Sequence, residues 1–158
     1  MGVSGSGKTT VGRELAGELG WKFYDGDDFH PRSNVEKMSR GLPLDDEDRA
    51  PWLECLRELI KSCLARGESA VLACSALKKK YRSYLLIDEG DEGVKLVYLK
   101  GDRELIRERL GERSGHFMKP EMLDSQFDAL EEPERALTVD ISAPPDEIAR
   151  TIRERFGV

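Results

Sequence analysis

The sequence predicts an α/β fold in which a parallel sheet is covered by helices on both faces, and three observations carry that expectation. Short apolar runs of strand character alternate with helix-period patterns along the whole chain. A glycine-rich turn, "GVSGSGKT", stands directly in front of the first helical pattern. No repeat, linker or low-complexity tract interrupts the alternation, so the 158 residues form one domain, 1–158, large enough to bury its own core.

The elements follow in order. Lys8 to Leu19 reads as a helix with Val11, Leu15 and Leu19 on one face, and "WKFYD" as the strand after it. A long helix runs from about Asp48 to Arg66. It has acidic Asp45 to Asp48 at its start, Pro51 in its first turn, apolar Trp52, Leu56, Leu59, Ile60 and Cys63 within, and Gly67 past its end. "AVLACS" is the next strand and leads into the basic helical stretch "ALKKKYR", after which "KLVYLKG" is a third strand. A helix spans Arg103 to Arg113. "PEMLDSQFDALEEP" is a shorter one whose Met122, Leu123, Phe127 and Leu130 form a core stripe, with Gln126 its one residue of functional interest. The strand "ALTVDIS" and a helix from Pro145 to Phe156 close the chain. Trp21, Trp52, Tyr24 and Tyr98 fall in these elements and read as packing.

Composition excludes some partners. Asp and Glu outnumber Lys and Arg by 31 to 25, a net charge of -6, which repels nucleic acid and anionic membranes. No run approaches the ~18 apolar residues of a membrane span, and no signal-peptide pattern opens the chain. Cys55, Cys63 and Cys74 have neither CxxC spacing nor a histidine nearby. They read as buried thiols of a reducing cytoplasm.

Residues Gly2 to Thr9 satisfy G-x-x-x-x-G-K-[ST]. In such a phosphate loop the backbone amides of Gly2, Val3, Ser4, Gly5, Ser6, Gly7, Lys8, Thr9 and Thr10 surround the phosphates of ATP. Lys8 reaches the β- and γ-phosphates, and Thr9 binds Mg²⁺. The plain alternative is a Gly/Ser turn before an ordinary helix. A phosphate loop hangs from a buried strand, yet only Met1 precedes Gly2. About five buried apolar residues at ~1.5–3 kcal/mol each come to roughly 7–15 kcal/mol, a domain's whole stability. Two accounts compete, a start upstream of Met1 and a shortened natural or cloned chain. The first is favoured, with Met1 then ending the strand.

"FYDGDDFHP" places Asp25, Asp27 and Asp28 at the carboxyl end of a strand, the edge where α/β sheets bind ligands. Phosphoryl transfer needs one carboxylate for Mg²⁺, assigned to Asp25 with Thr9, and another to orient or deprotonate the acceptor hydroxyl, assigned to Asp27. A turn and helix cap is the plain reading of the same residues, and it suits Asp28 better. His30 is a substrate contact or a capping residue.

Taken in order, "GVSGSGKTT", "FYDGDDFHPRSNVEKMSRGLPLDDEDRAPWL", "VLACSALKKKYR" and "GHFMKPEMLDSQFDALEEP" resemble the gluconokinases of the shikimate-kinase-like group of P-loop kinases. The resemblance covers nearly the whole chain. It implies transfer of the γ-phosphate of ATP to the 6-hydroxyl of D-gluconate, a parallel sheet of order 2-3-1-4-5 and a homodimer. The strand absent ahead of the loop is the central one of that order.

Gluconate needs cations for its carboxylate and hydrogen-bonding groups for its hydroxyls. Ser75 lies at the ligand edge after "AVLAC", and Lys78 and Arg82, four apart, can share one helix face with an anion between them. Arg49, in a substrate region spanning about 25–66, is a further candidate. Solvated basic helices and local ion pairs are the plain alternatives. Arg109 and Arg113 lead into a lid of about 109–120 and are the cations expected over the phosphoryl group, Arg113 being catalytic together with Lys8 and Asp27. A kinase of another small hydroxy acid such as shikimate and a nucleotide-dependent switch are the competing functions.

Overall fold

A computed structural model describes residues 1–85, 93–111 and 120–158. Strands β1 (Lys22–Asp25), β2 (Ala70–Ala73), β3 (Val97–Lys100) and β4 (Leu137–Asp140) stand where the four apolar runs place them. Helices α1 (Lys8–Leu19), α2 (Arg32–Ser39), α3 (Asp46–Arg66), α4 (Lys79–Tyr84), α5 (Arg103–Gly111), α6 (Pro120–Ala129) and α7 (Pro145–Phe156) alternate with them. β1 pairs parallel with β2, Lys22 opposite Ala70. β3 pairs parallel with β4, Val97 opposite Leu137.

Among the described residues the two pairs do not join. Between β2 and β3 lies a cavity of about 500 Å³, walled by both strands and by α1, α3 and α7. Met1 and Gly2 cross one end of it. The Met1 amino group donates to the Val97 carbonyl, the Leu99 amide donates to the Met1 carbonyl at 3.0 Å, and the Gly2 amide donates to the Ser75 carbonyl at 3.3 Å. Bonds to the residues before and after Tyr98 are the pattern of a parallel bridge, so Met1 pairs as a strand residue between β2 and β3.

Local chemistry sets the helix ends. α3 begins at Asp46, two residues ahead of the expected start, because Asp45 and Asp48 form a reciprocal capping box. The Asp48 amide donates to Asp45 at 2.8 Å and the Asp45 amide to Asp48 at 2.9 Å. Pro51 therefore falls in the second turn, where its ring removes one helix amide. Gly67, in the left-handed conformation, ends the helix. The buried stripe of α3 is Trp52, Leu53, Leu56 and Cys63. Cys55 points off that stripe and is exposed, which corrects the expectation of three buried thiols; Cys63 and Cys74 are buried.

Two apolar clusters hold the layers. One joins Val11 and Leu15 of α1 to Ile148 and Ile152 of α7, with Leu99 and Ile106. The other joins Trp52 and Leu56 of α3 to Cys74, Tyr81 and Leu85. No helix among the described residues is long and apolar enough to cross a membrane.

Candidate functional site

The phosphate loop runs over the carboxyl ends of the strands and is gripped from three sides. Gly5 has φ of +82°, and a Cβ there would stand 2.8 Å from Leu110 of α5. A Cβ on Gly2 would stand 2.8 Å from the Leu99 carbonyl. Only glycine tolerates both demands. Ser6 is buried and donates its amide to the Val3 carbonyl at 3.2 Å. Lys8 Nζ donates to the same carbonyl at 2.9 Å, so its ammonium lies folded against the loop it serves. Gln126 of α6 holds Ser4 at two points. Its Oε1 accepts from the Ser4 amide at 2.7 Å and its Nε2 donates to Ser4 Oγ at 3.1 Å. Thr10 is exposed in the first turn of α1.

Thr9 and Asp25 meet at the end of β1, where Thr9 Oγ1 donates to Asp25 Oδ2 at 2.8 Å. Asp25 also caps the short 3-10 turn Gly26–Phe29 by accepting from the Asp27 amide at 3.1 Å. That turn leaves Asp27 and Asp28 exposed at the mouth of the site. Gly26 sits beneath it, too close to the Ala73 carbonyl for any side chain.

His30 is fixed by residues that sequence reasoning missed or took for packing. Its ring stacks on Trp52 at 4.4 Å between centroids and 14° between planes. Trp52 Nε1 donates to the Gly26 carbonyl at 2.7 Å, tying α3 to the acidic turn. Asn34 is buried, with its Nδ2 2.7 Å from the Asp48 carbonyl and 3.3 Å from His30 Nδ1. An amide nitrogen only donates, so Nδ1 accepts and the imidazole proton sits on Nε2, the nitrogen left for a ligand. A buried indole needs a partner for its N–H, and this was the signal available in Trp52. Asn34 carries no such signal, because nothing in the sequence shows that its position on α2 is buried.

Burial lowers the pKa of His30 below its ordinary value and the charge of Arg49 adds to this, while Asp27 pulls the other way. The folded state therefore binds this proton less readily than the unfolded chain. The stability that a neutral His30 contributes is full above the unfolded value of about 6.5 and is lost as pH falls through the lowered folded value. Thermal midpoints measured from pH 7.5 down to 5.5 should fall more steeply for the native chain than for a His30→Asn chain. Parallel curves would refute the assignment.

The basic residues are arranged differently from the expectation. Lys78 precedes α4 in an extended conformation and pairs with Asp46 at 3.5 Å, so it shares no helix face with Arg82. Arg82 is buried and turns inward, its Nη1 3.0 Å from the carbonyls of both Ala76 and Leu77. It holds a bend in which Ala76 has φ of +45°, a conformation that costs a non-glycine residue energy. Asp46 gathers Lys78, Lys80 and the Tyr81 hydroxyl, and these partners drive its carboxyl far below the usual range. Arg49 lies over the Tyr81 ring at 5.7 Å and donates to the carbonyls of Leu44 and Asp45. Ser75 is half-buried beside the phosphate loop. Arg109 reaches the end of β4, where Nη2 donates to the Ile141 carbonyl at 2.6 Å. Arg113 and most of the expected lid lie outside the described residues. Arg103 and Arg107 instead cross from α5 to Asp124 of α6 at 3.2 and 2.7 Å.

The site thus gathers the backbone of the glycine-rich loop, a lysine, a hydroxyl–carboxylate pair and an acidic mouth at one sheet edge. The shikimate kinase family profile matches residues 4–154. The chain is 50% identical over 157 residues to a probable gluconokinase of Xenopus tropicalis, covering 89% of this chain and 83% of that one. It is 49% identical to the thermosensitive gluconokinase of Escherichia coli K12, covering 85% and 71%. A crystal structure of a gluconokinase from Sinorhizobium meliloti 1021 superposes with a TM-score of 0.85 at 40% identity, over 99% of this chain and 93% of that one.

Proposed function

The chain belongs to the shikimate kinase family, is an enzyme of the gluconokinase kind, and we propose that it transfers the γ-phosphoryl group of ATP to the 6-hydroxyl of D-gluconate. The observation that supports this best is the convergence of the phosphate loop, the Thr9–Asp25 pair and exposed Asp27 at one edge of the sheet. Around the same edge stand His30, Arg49, Ser75 and Lys78, which suit a polyhydroxy carboxylate.

In this reading the bond from the 6-oxygen to the γ-phosphorus forms as the bond to the departing ADP breaks, and the hydroxyl proton passes to Asp27. Lys8 leaves the Val3 carbonyl to meet the β- and γ-oxygens. Arg109 and Arg113 add charge from the lid. The oxygen pair of Thr9 and Asp25 suits Mg²⁺, a hard cation that keeps most of its waters and takes few protein ligands. When bound, Mg²⁺ supplies charge neutralisation at the phosphates. Arg82 acts indirectly, by shaping the bend that presents Ser75 and Lys78. The reading also includes a homodimer, which sedimentation checks.

ADP release should rise with gluconate and stay at the blank rate with shikimate and nucleoside monophosphates, and the product should be 6-phosphogluconate in a coupled assay. Faster release with shikimate would favour the other small-acid reading, which the family profile keeps in view. Tight ATP binding without release on any acceptor would favour a nucleotide switch.

A further inference from the structure

His30 stands at the acidic turn with one ring nitrogen committed and one open. Its ring lies on Trp52 at 4.4 Å between centroids and 14° between planes, and Trp52 is itself held by the bond from Nε1 to the Gly26 carbonyl at 2.7 Å. Stacking fixes the plane of an imidazole, but it permits a half-turn about Cβ–Cγ that exchanges Nδ1 with a carbon, and it selects neither tautomer. Asn34 makes both choices, because its Nδ2 stands 3.3 Å from Nδ1 and needs an acceptor there. The Asn34 amide cannot turn round. The same nitrogen donates to the Asp48 carbonyl at 2.7 Å, where an amide oxygen would meet a second acceptor. Asp48 is held in turn, its carboxylate accepting from Lys37 of α2 and from the Asp45 amide of the α3 capping box. Asn34 is 2% exposed, so water does not compete for these bonds.

What remains to half-buried His30 is Nε2–H, a donor with no hydrogen-bond partner among the described residues. A neutral imidazole in this state cannot take a proton from a hydroxyl through its open nitrogen. The charges that reach the ring are those of Asp27 and Arg49, which places the ring and the Asp27 carboxylate in one neighbourhood. A carboxylate only accepts and Nε2–H only donates. A hydroxyl satisfies both, donating to the first and accepting from the second. We propose that Asn34 is a positioning residue: it sets His30 as an obligate donor to an oxygen of the acceptor substrate, and so reserves proton removal for Asp27. The owner of that oxygen is gluconate on the reading proposed above, on which this role rests. An ammonium or a methyl group in the same place has no lone pair to offer, so the pair favours hydroxyl and carboxylate oxygens.

The tautomer is read by proton–nitrogen correlation NMR on the substrate-free chain at about pH 8, above the ordinary histidine pKa. The chain has only two histidines, His30 and His116, and the His30→Asn chain identifies which signals belong to His30. Native His30 should carry its proton on Nε2 and none on Nδ1. Asn34→Asp presents an acceptor to Nδ1 and should draw the proton there. In that chain the KM for gluconate should rise roughly tenfold, with the KM for ATP moving less than about twofold. His30→Gln puts an amide nitrogen near the place of Nε2, and His30→Asn puts one near the place of Nδ1. The Gln chain should therefore retain several-fold more kcat/KM for gluconate than the Asn chain. A native His30 with its proton on Nδ1 overturns the proposal, and so do equal losses in the Gln and Asn chains. An Asn34→Asp chain whose tautomer stays put, or whose tautomer moves with the KM for gluconate unchanged, overturns it as well. If Asn34→Asp does not fold, the native spectrum and the Gln and Asn chains still decide. Native turnover of gluconate tests the acceptor separately, because the tautomer is measured with no substrate present.

Discussion

A Lys8→Ala chain should lose roughly 10³-fold or more in kcat while still folding. Lys8 lies at the surface of the loop and is half-buried, so its truncation opens no core cavity. It donates to the Val3 carbonyl at 2.9 Å, within a loop also held by Gln126. What it supplies is a mobile cation over a phosphoryl group whose charge grows during transfer. Single preorganised donors in such positions are worth about 10²–10³, and charged ones at transferring phosphoryl groups up to about 10⁵. Steady-state ADP release and ATP binding by calorimetry together check this. An enzyme within tenfold of native turnover would remove Lys8 from the chemistry, whereas an unchanged kcat with a raised KM would confine it to nucleotide binding.

The second large effect is expected at Asp27. Asp27→Asn keeps size and turn geometry, because the Asp27 contact that shapes the 3-10 turn is its backbone amide donating to Asp25, not its carboxylate. The negative charge and with it the capacity to take a proton are lost, and kcat should fall by about 10²–10⁴ with KM for gluconate nearly unchanged. Asp28→Asn, beside it and equally exposed, should stay within a few-fold of native. Near-native turnover in Asp27→Asn would assign proton removal to solvent or to another group. A matching loss in Asp28→Asn would show that the turn's charge, and not one carboxylate, matters.

The same contrast shows how much of the site was legible in the chain. The phosphate loop was readable because its chemistry is written in consecutive residues, and Thr9 finds Asp25 because one begins a helix and the other ends the adjoining strand. The Lys78 and Arg82 pair was misplaced because i,i+4 spacing implies a shared face only inside a helix, and α4 starts one residue after Lys78. Arg82 then turns inward to carbonyls that no local pattern marks as in need of a donor. Local ion pairs are the plain alternative for the arginines of the helix expected over Arg103 to Arg113, yet the described ion pairs of Arg103 and Arg107 cross to Asp124 and Asp128 of α6.

Local periodicity and turn chemistry act over a few residues, so the sequence by itself determined the four strands, the bounds of α1 and α7, the phosphate loop and the acidic turn. Burial and long-range partners depend on which elements meet. Only the tertiary structure decided that His30 is carried by Trp52 and Asn34, that Gln126 grips Ser4, that Arg82 turns inward to the Ala76 and Leu77 carbonyls, and that Cys55 faces outward.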